Sequence, residues 1–302
     1  MPIFKPNLRL LEESALSKLK FATTTIATDG WMIDLTDAQA SRNRRLAVLE
    51  RLGQVYQLPA VEMTLDLALI YPQVFDAGYY RRVANLQQQQ GFACSVHLPF
   101  LWLDLTSLNE SVRKASVESI RKALELIRPI EVQACVLHLW GSVTQTIGSV
   151  SQDSEQLRDV MAVLGRQAQR SLEEIITHYD AQKLCVETLE RPDFSFALPI
   201  IEKLDTGICL DVGHLIWQGG EELAFLEKHW PRIRVIHLHD ALISEQAGQK
   251  IVLDHLPLGE GQLDYKKFLT QLEHRGFDGI IVLELNQRAD LEASLEKISA
   301  FL

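Results

Sequence analysis

Residues 209–219 read CLDVGHLIWQG. An apolar run stops at Asp211, Gly213 follows, His214 comes three residues after the acid, and Gly219 closes the segment. Two readings compete. Asp and Gly are turn residues, so the segment reads as a turn after a buried strand. It also reads as a strand end that delivers Asp211 and His214 to the mouth of a barrel, with Gly213 permitting a sharp bend.

The flanking sequence favours the barrel. Short β-type runs occupy 20–27, 60–65, 93–98, 134–139, 184–189, 206–211, 234–239 and 279–285. Most are almost continuously apolar, as expected of parallel strands covered on both faces. Longer helix-type segments separate them, among them 37–57, 109–129, 154–180, 222–230, 264–276 and 288–302. Asn109 is a suitable N-cap and Pro129 a suitable stop for the second of these. Eight β/α repeats in 302 residues match an α/β fold of the (β/α)₈ TIM-barrel type in number and size. An open doubly wound sheet would carry a glycine-rich phosphate loop after its first strand, and ATTTIATDG at 22–30 is not one. The expected organisation is a single barrel domain over 1–302, with residues 1–18 as an N-terminal extension.

Composition narrows the function. The formal net charge is −10, and no Lys/Arg cluster marks a local groove, so nucleic acid is not an expected partner. No apolar run approaches the ~18 residues of a membrane span. The charged N-terminus does not read as a secretory signal, so the expected compartment is the cytoplasm. Cys94, Cys135, Cys185 and Cys209 each sit in an apolar run without a CxxC pair. They read as reduced core residues.

In a (β/α)₈ barrel the C-terminal strand ends share one site. Here those ends carry His97, His138, Glu187, Asp211, His237 with His239 and Asp240, and Glu284. His214 lies just beyond the sixth strand, and Asp254, His255 and Glu260 follow the seventh. A single histidine in an apolar strand is ordinarily a satisfied core residue, and a single strand-end acid is ordinarily a cap. So many ionisable groups together need a counter-charge. Divalent metal supplies one, because neutral imidazole and ionised carboxylate are its natural ligands. His239 and Asp240 are assigned to substrate or to support of the ligands. Trp102, Trp140 and Trp217 are candidates for an apolar wall against a flat or bulky substrate. His178, His229 and His274 lie in helix-type segments and read as surface residues.

Taken in order, VHLP, LHLWG, VETLE, CLDVGH, IHLHD, DHLPLGEG and VLELN resemble the xylose isomerase-like barrels, also called the AP endonuclease family 2 superfamily. The resemblance runs from about residue 20 to the C-terminus. Within that superfamily the endonuclease IV type is similar in its metal ligands. Carried over by motif, it implies His97, His138, Glu187, Asp211, His214, His237, His255 and Glu284. One position departs: a D-x-H pattern reads Leu253-Asp254-His255 here, placing the carboxylate one residue late. That departure leaves two ions, of Zn, Mn, Mg or Co, as the expectation. The sugar isomerase and epimerase branch uses four ligands, matching Glu187, Asp211, His237 and Glu284, and often carries a segment like GEGQLDY at 259–265. SVHLPFLWLDL, LCVETLERPDF, ICLDVGHL and RVIHLHDA also resemble the cobamide-remodeling phosphodiesterases.

The resemblance implies metal-assisted hydrolysis of a phosphodiester in a small molecule such as a cobamide. The alternative it implies is a sugar or sugar-phosphate isomerase or epimerase with Glu187 and Glu284 as acid and base. Substrate, metal identity and oligomeric state stay open in the sequence.

Overall fold

The computed structural model describes residues 18–29, 33–34, 36–148, 155–246 and 249–301. Eight parallel strands form one sheet: β1 (Lys20–Thr23), β2 (Ala60–Thr64), β3 (Ala93–His97), β4 (Ala134–Leu137), β5 (Leu184–Glu187), β6 (Gly207–Asp211), β7 (Ile233–Leu238) and, last in the chain, β10 (Ile280–Leu283). Between β7 and β10 lies an antiparallel hairpin, β8 (Asp240–Gln246) and β9 (Gln249–Leu256). The sheet runs in the order β1-β10-β7-β6-β5-β4-β3-β2, and a parallel bridge from Thr24 to Glu62 brings its two edges together. This is the (β/α)₈ barrel expected, with all eight strands at the anticipated places.

Two side-chain layers inside the barrel follow from the period-two alternation of strands. Cys185 shares a face with Glu187, Cys209 with Asp211, Val235 with His237, and Val282 with Glu284. The lower members are small and apolar, and they pack together as a buried cluster with Ala22, Ala134 and Ile280. The upper members are the ionisable residues. The opposite strand faces, with Leu184, Ile208, Leu210, Ile236 and Leu238, are buried against the helices. The four cysteines are free and buried, two in each environment.

Asn109 caps its helix as expected, and two aspartates cap others in the same way. The side chains of Asp37, Asn109 and Asp264 accept from the first-turn amides of Ala38–Val55, Glu110–Leu126 and Tyr265–His274. The first strand is shorter than anticipated, because a helix over Thr25–Asp29 replaces its second half. The proposed extension over residues 1–18 lies almost wholly outside the described residues. No described helix is long and apolar enough to cross a membrane. His178 and His274 are exposed, and His229 is half-buried against the Phe225 ring.

The hairpin was not anticipated, since its sequence reads as a loop. It matters because its register slips by one residue. Leu242 pairs with Leu253, but Asp240 pairs with Leu256, so Asp254 and His255 together oppose Ala241. Such a bulge adds a residue to one strand and redirects side chains. His255 sits at φ 52 within it.

Candidate metal centre

Asp211 satisfies both readings of the opening segment. It ends β6 and N-caps the helix Val212–Gln218, its Oδ1 accepting from the His214 amide at 2.7 Å. The same carboxylate lies 3.0 Å from His239 Nε2 and 3.4 Å from His214 Nδ1. The helix stops at Gly219, whose φ of 78 is a left-handed cap suited to glycine.

Gly213 has a different purpose from the bend expected of it. It lies inside the helix, and a Cβ there would stand 1.9 Å from His239 Cε1. The glycine is required for close approach of a buried imidazole. Gly213→Ala is therefore expected to destabilise the fold by about 1–3 kcal/mol, the usual range for overpacking. Urea denaturation would read this, and an unchanged midpoint would remove the packing argument.

Glu187 is the hub of the site. Its Oε2 lies 3.2 Å from His97 Nε2 and 2.9 Å from His138 Nε2. Its Oε1 faces His237 Nδ1 at 3.3 Å and His214 Nδ1 at 3.7 Å. The two oxygens thus serve two sets of imidazoles, the geometry of a bridging carboxylate. His97 Nδ1 is 3.0 Å from the Leu98 carbonyl and His214 Nδ1 is 3.2 Å from that of Thr188. Donation there leaves each Nε2 with its lone pair facing the site in the neutral ring.

Among the described residues, three groups of donor atoms, each within 4.8 Å of one another, could hold a metal ion: His97, His138 and Glu187; Glu187, Asp211, His237 and Glu284; and His214, His239, Asp254 and His255. All eight ligands implied by the sequence resemblance fall in these groups. The donor chemistry fits divalent ions. So do the buried His237 Nδ1 and Glu284 Oε2, which make no hydrogen bond although only 2.7 Å separates them. An imidazole nitrogen and a carboxylate oxygen this close need a proton or a cation between them, and a divalent ion can take the proton's place.

The electrostatics agree. Burial pushes Glu187 and Asp211 up, but the surrounding imidazoles outweigh it and both carboxyls fall well below the usual range. Glu284 falls to about 2, with His237 opposing its burial. Burial pulls His97, His214 and His255 down, yet the neighbouring carboxylates raise each to about 9. In the metal-free protein, protons supply the positive charge this cluster demands.

Several expectations need correction. Asp254 reaches the site despite its shifted position: its Oδ2 is 3.5 Å from His214 Nε2 and its Oδ1 is 3.2 Å from His239 Nδ1. The bulge turns it inward and leaves Leu253 half-exposed. That restores a third donor group where two ions were expected. His239 belongs to this group, stacked 4.3 Å beneath His255, and does not line the cavity. Asp240 is buried and occupied by backbone, accepting from Ala241, Gly259 and Leu263 amides. It straps the GEG segment to the barrel and contacts no open space. Glu260 is exposed beside Lys297.

The cavity above the donors is about 210 Å³. Its apolar wall is Ile26, Phe100 and Leu285, and none of Trp102, Trp140 or Trp217 lines it. Trp140 is buried in the core, Trp217 is half-buried, and Trp102 is 82% exposed. Phe100 leans on the His138 ring at 4.3 Å. It is held there because the Asp66 Oδ1 accepts from the amides of Phe100 and Leu101. Glu190, unremarked in the sequence, opens into the cavity with an oxygen 3.3 Å from His214 Nε2. Its place three residues after Glu187 in VETLE was the available signal.

Residues 51–302 match the family model described as xylose isomerase-like TIM barrel. The uncharacterized protein MJ1311 of Methanocaldococcus jannaschii is 28% identical over 222 residues, which is 68% of this chain and 69% of that protein. An inosose dehydratase of Lacticaseibacillus casei is 27% identical over 92 residues, covering 26% of this chain and 30% of that enzyme. Among solved structures, a D-tagatose 3-epimerase-like protein superposes with a TM-score of 0.67 at 21% identity, over 94% of this chain and 97% of the other.

Proposed function

Because the chain belongs to the xylose isomerase-like TIM-barrel family, we propose that it is a divalent-metal-dependent enzyme whose donor array serves hydrolysis of a phosphodiester in a small molecule. The observation that carries this reading is the excess of donors. Four ligands suffice for one ion, yet seven further donor places (His97, His138 and a second use of Glu187, then His214, His239, Asp254 and His255) stand in two more groups around them. Bound divalent ions would supply Lewis acidity for charge on the attacking and leaving oxygens. The chain does the rest. Glu187 ties two groups into one frame through its two oxygens. Phe100, Ile26 and Leu285 exclude water from one side of the cavity. Glu190 stands open to the cavity, placed to take up a proton. The cavity is small and the chain is acidic, which suits a compact diester better than a nucleic-acid duplex. The cobamide diester suggested by the sequence resemblance is far bulkier than this cavity, and Trp102, Trp140 and Trp217 do not wall it, so a compact phosphodiester is the first substrate to assay.

A second reading has its own support. One ion on Glu187, Asp211, His237 and Glu284, with the two glutamates as base and acid, suits a sugar isomerase or epimerase. The named similar proteins, an epimerase-like barrel and inosose dehydratase, favour this reading over hydrolysis.

Metal stoichiometry separates the two. Two or more ions per chain are expected for the hydrolase, and a firm single ion would favour the isomerase. Assays of a phosphodiester and of a ketose, each with manganese or zinc, give the direct answer. His138→Ala sharpens it: the hydrolase should lose an ion and its activity together. The isomerase should keep its ion and lose mainly substrate affinity.

A further inference from the structure

Glu62 lies on β2, inside the barrel and outside all three donor groups. It is completely buried. Its Oε2 accepts from Ser95 Oγ at 2.9 Å. Its Oε1 has no hydrogen bond and lies 3.2 Å from His237 Nε2, itself buried and without one. The other ring nitrogen, Nδ1, points the opposite way, toward Glu284 and Glu187. Among the described residues, the other buried acids beside the site and outside the donor groups are Asp66, whose Oδ1 accepts from two backbone amides while its Oδ2 has no partner, and Asp240, both of whose oxygens accept from backbone amides. Glu62 has no such use, and a buried carboxylate left with one hydroxyl partner is costly.

We propose that Glu62 is a positioning residue for the metal centre: it keeps a proton on His237 Nε2, so that Nδ1 presents its lone pair to the ion shared with Glu187, Asp211 and Glu284. A carboxylate behind a ligating imidazole fixes its tautomer and ring orientation and raises its basicity. Glu62 reaches His237 across the barrel interior, since β2 and β7 are not neighbours in the sheet. Ser95, adjacent to Glu62 in the β2–β3 register, keeps the carboxylate turned inward. The inference rests on the metal-centre reading common to both proposed reactions, and it is independent of which one the enzyme performs.

The test is zinc affinity, by competition with a chromophoric chelator, on the full chain as wild type, Glu62→Gln and Ser95→Ala. Glu62→Gln is expected to weaken the tightest zinc site by about 10–100-fold, the usual cost of losing such a partner. Ser95→Ala should weaken it less, because the carboxylate remains. Proton NMR of the zinc-loaded protein with ¹⁵N-labelled histidine adds a second reading. A slowly exchanging, downfield imidazole N–H should be present in wild type and absent or shifted in Glu62→Gln. Zinc affinity within twofold of wild type in folded Glu62→Gln, with that N–H unmoved, overturns the inference alone. Should Glu62→Gln not fold, Ser95→Ala decides by the same two measurements. Wild-type protein that binds no zinc would overturn the metal-centre reading itself, and this inference with it.

Discussion

Replacing Glu187 with glutamine should remove metal-dependent activity by at least 10²–10³-fold, roughly what several kcal/mol of lost charge stabilisation costs in rate. The side chain is almost isosteric, so the barrel should survive. What changes is the charge at the hub. Oε2 serves His97 and His138, while Oε1 faces His237 and His214. A neutral amide has one acceptor oxygen in place of two, so it can serve one group only. Bound metal per chain, measured by inductively coupled plasma spectrometry, should therefore fall together with activity. If metal content and rate both survive the substitution, Glu187 is a core carboxylate and the array is not a metal centre.

The second large effect concerns stability. Metal at a thousandfold excess over its dissociation constant should stabilise the fold by about 4 kcal/mol. For a chain of 302 residues, with an unfolding entropy of about 2 cal/mol/K per residue, that is a rise in Tm of roughly 6 °C. The effect depends on pH, and its direction follows from the imidazoles. His97, His214 and His255 are raised to about 9 in the metal-free fold. Their contribution is complete below the unfolded value near 6.5, and it is lost as pH rises through about 9. The metal-free protein should thus lose stability between about pH 6.5 and 9. Bound metal replaces those protons, so the metal-induced rise in Tm should grow over the same interval. Thermal denaturation with and without chelator at three pH values checks this. A metal-free Tm that stays level from pH 6.5 to 9 would contradict the proton-for-metal exchange.

Much of this was legible in the sequence because barrel strands announce themselves twice. Their apolar continuity marks the strand, and the ionisable residue two places after a small apolar one marks the end that faces the site. Cys185 with Glu187, Cys209 with Asp211 and Val235 with His237 are the pattern. The parts that escaped depend on contacts distant in sequence. Gly213 looks like a hinge until His239, just beyond the end of the next strand, occupies the space where its Cβ would be. Asp254 looks misplaced until the hairpin bulge turns it inward. Trp140 looks like a lining residue because it follows His138 closely, but the chain buries it in the core. Glu62 reads as one acid in an apolar strand, and nothing local connects it with His237 across the barrel.

The bulge has a further consequence. Asp254 and His255 ride on an appendage, whereas most other donors are built into the barrel wall. A one-residue deletion or insertion in β9 would therefore reset which of its side chains meet the site, leaving the eight parallel strands undisturbed. Evolution, or an engineer, gains a dial for the number of donor groups this scaffold presents, turned by indels in a hairpin and separate from the framework that folds.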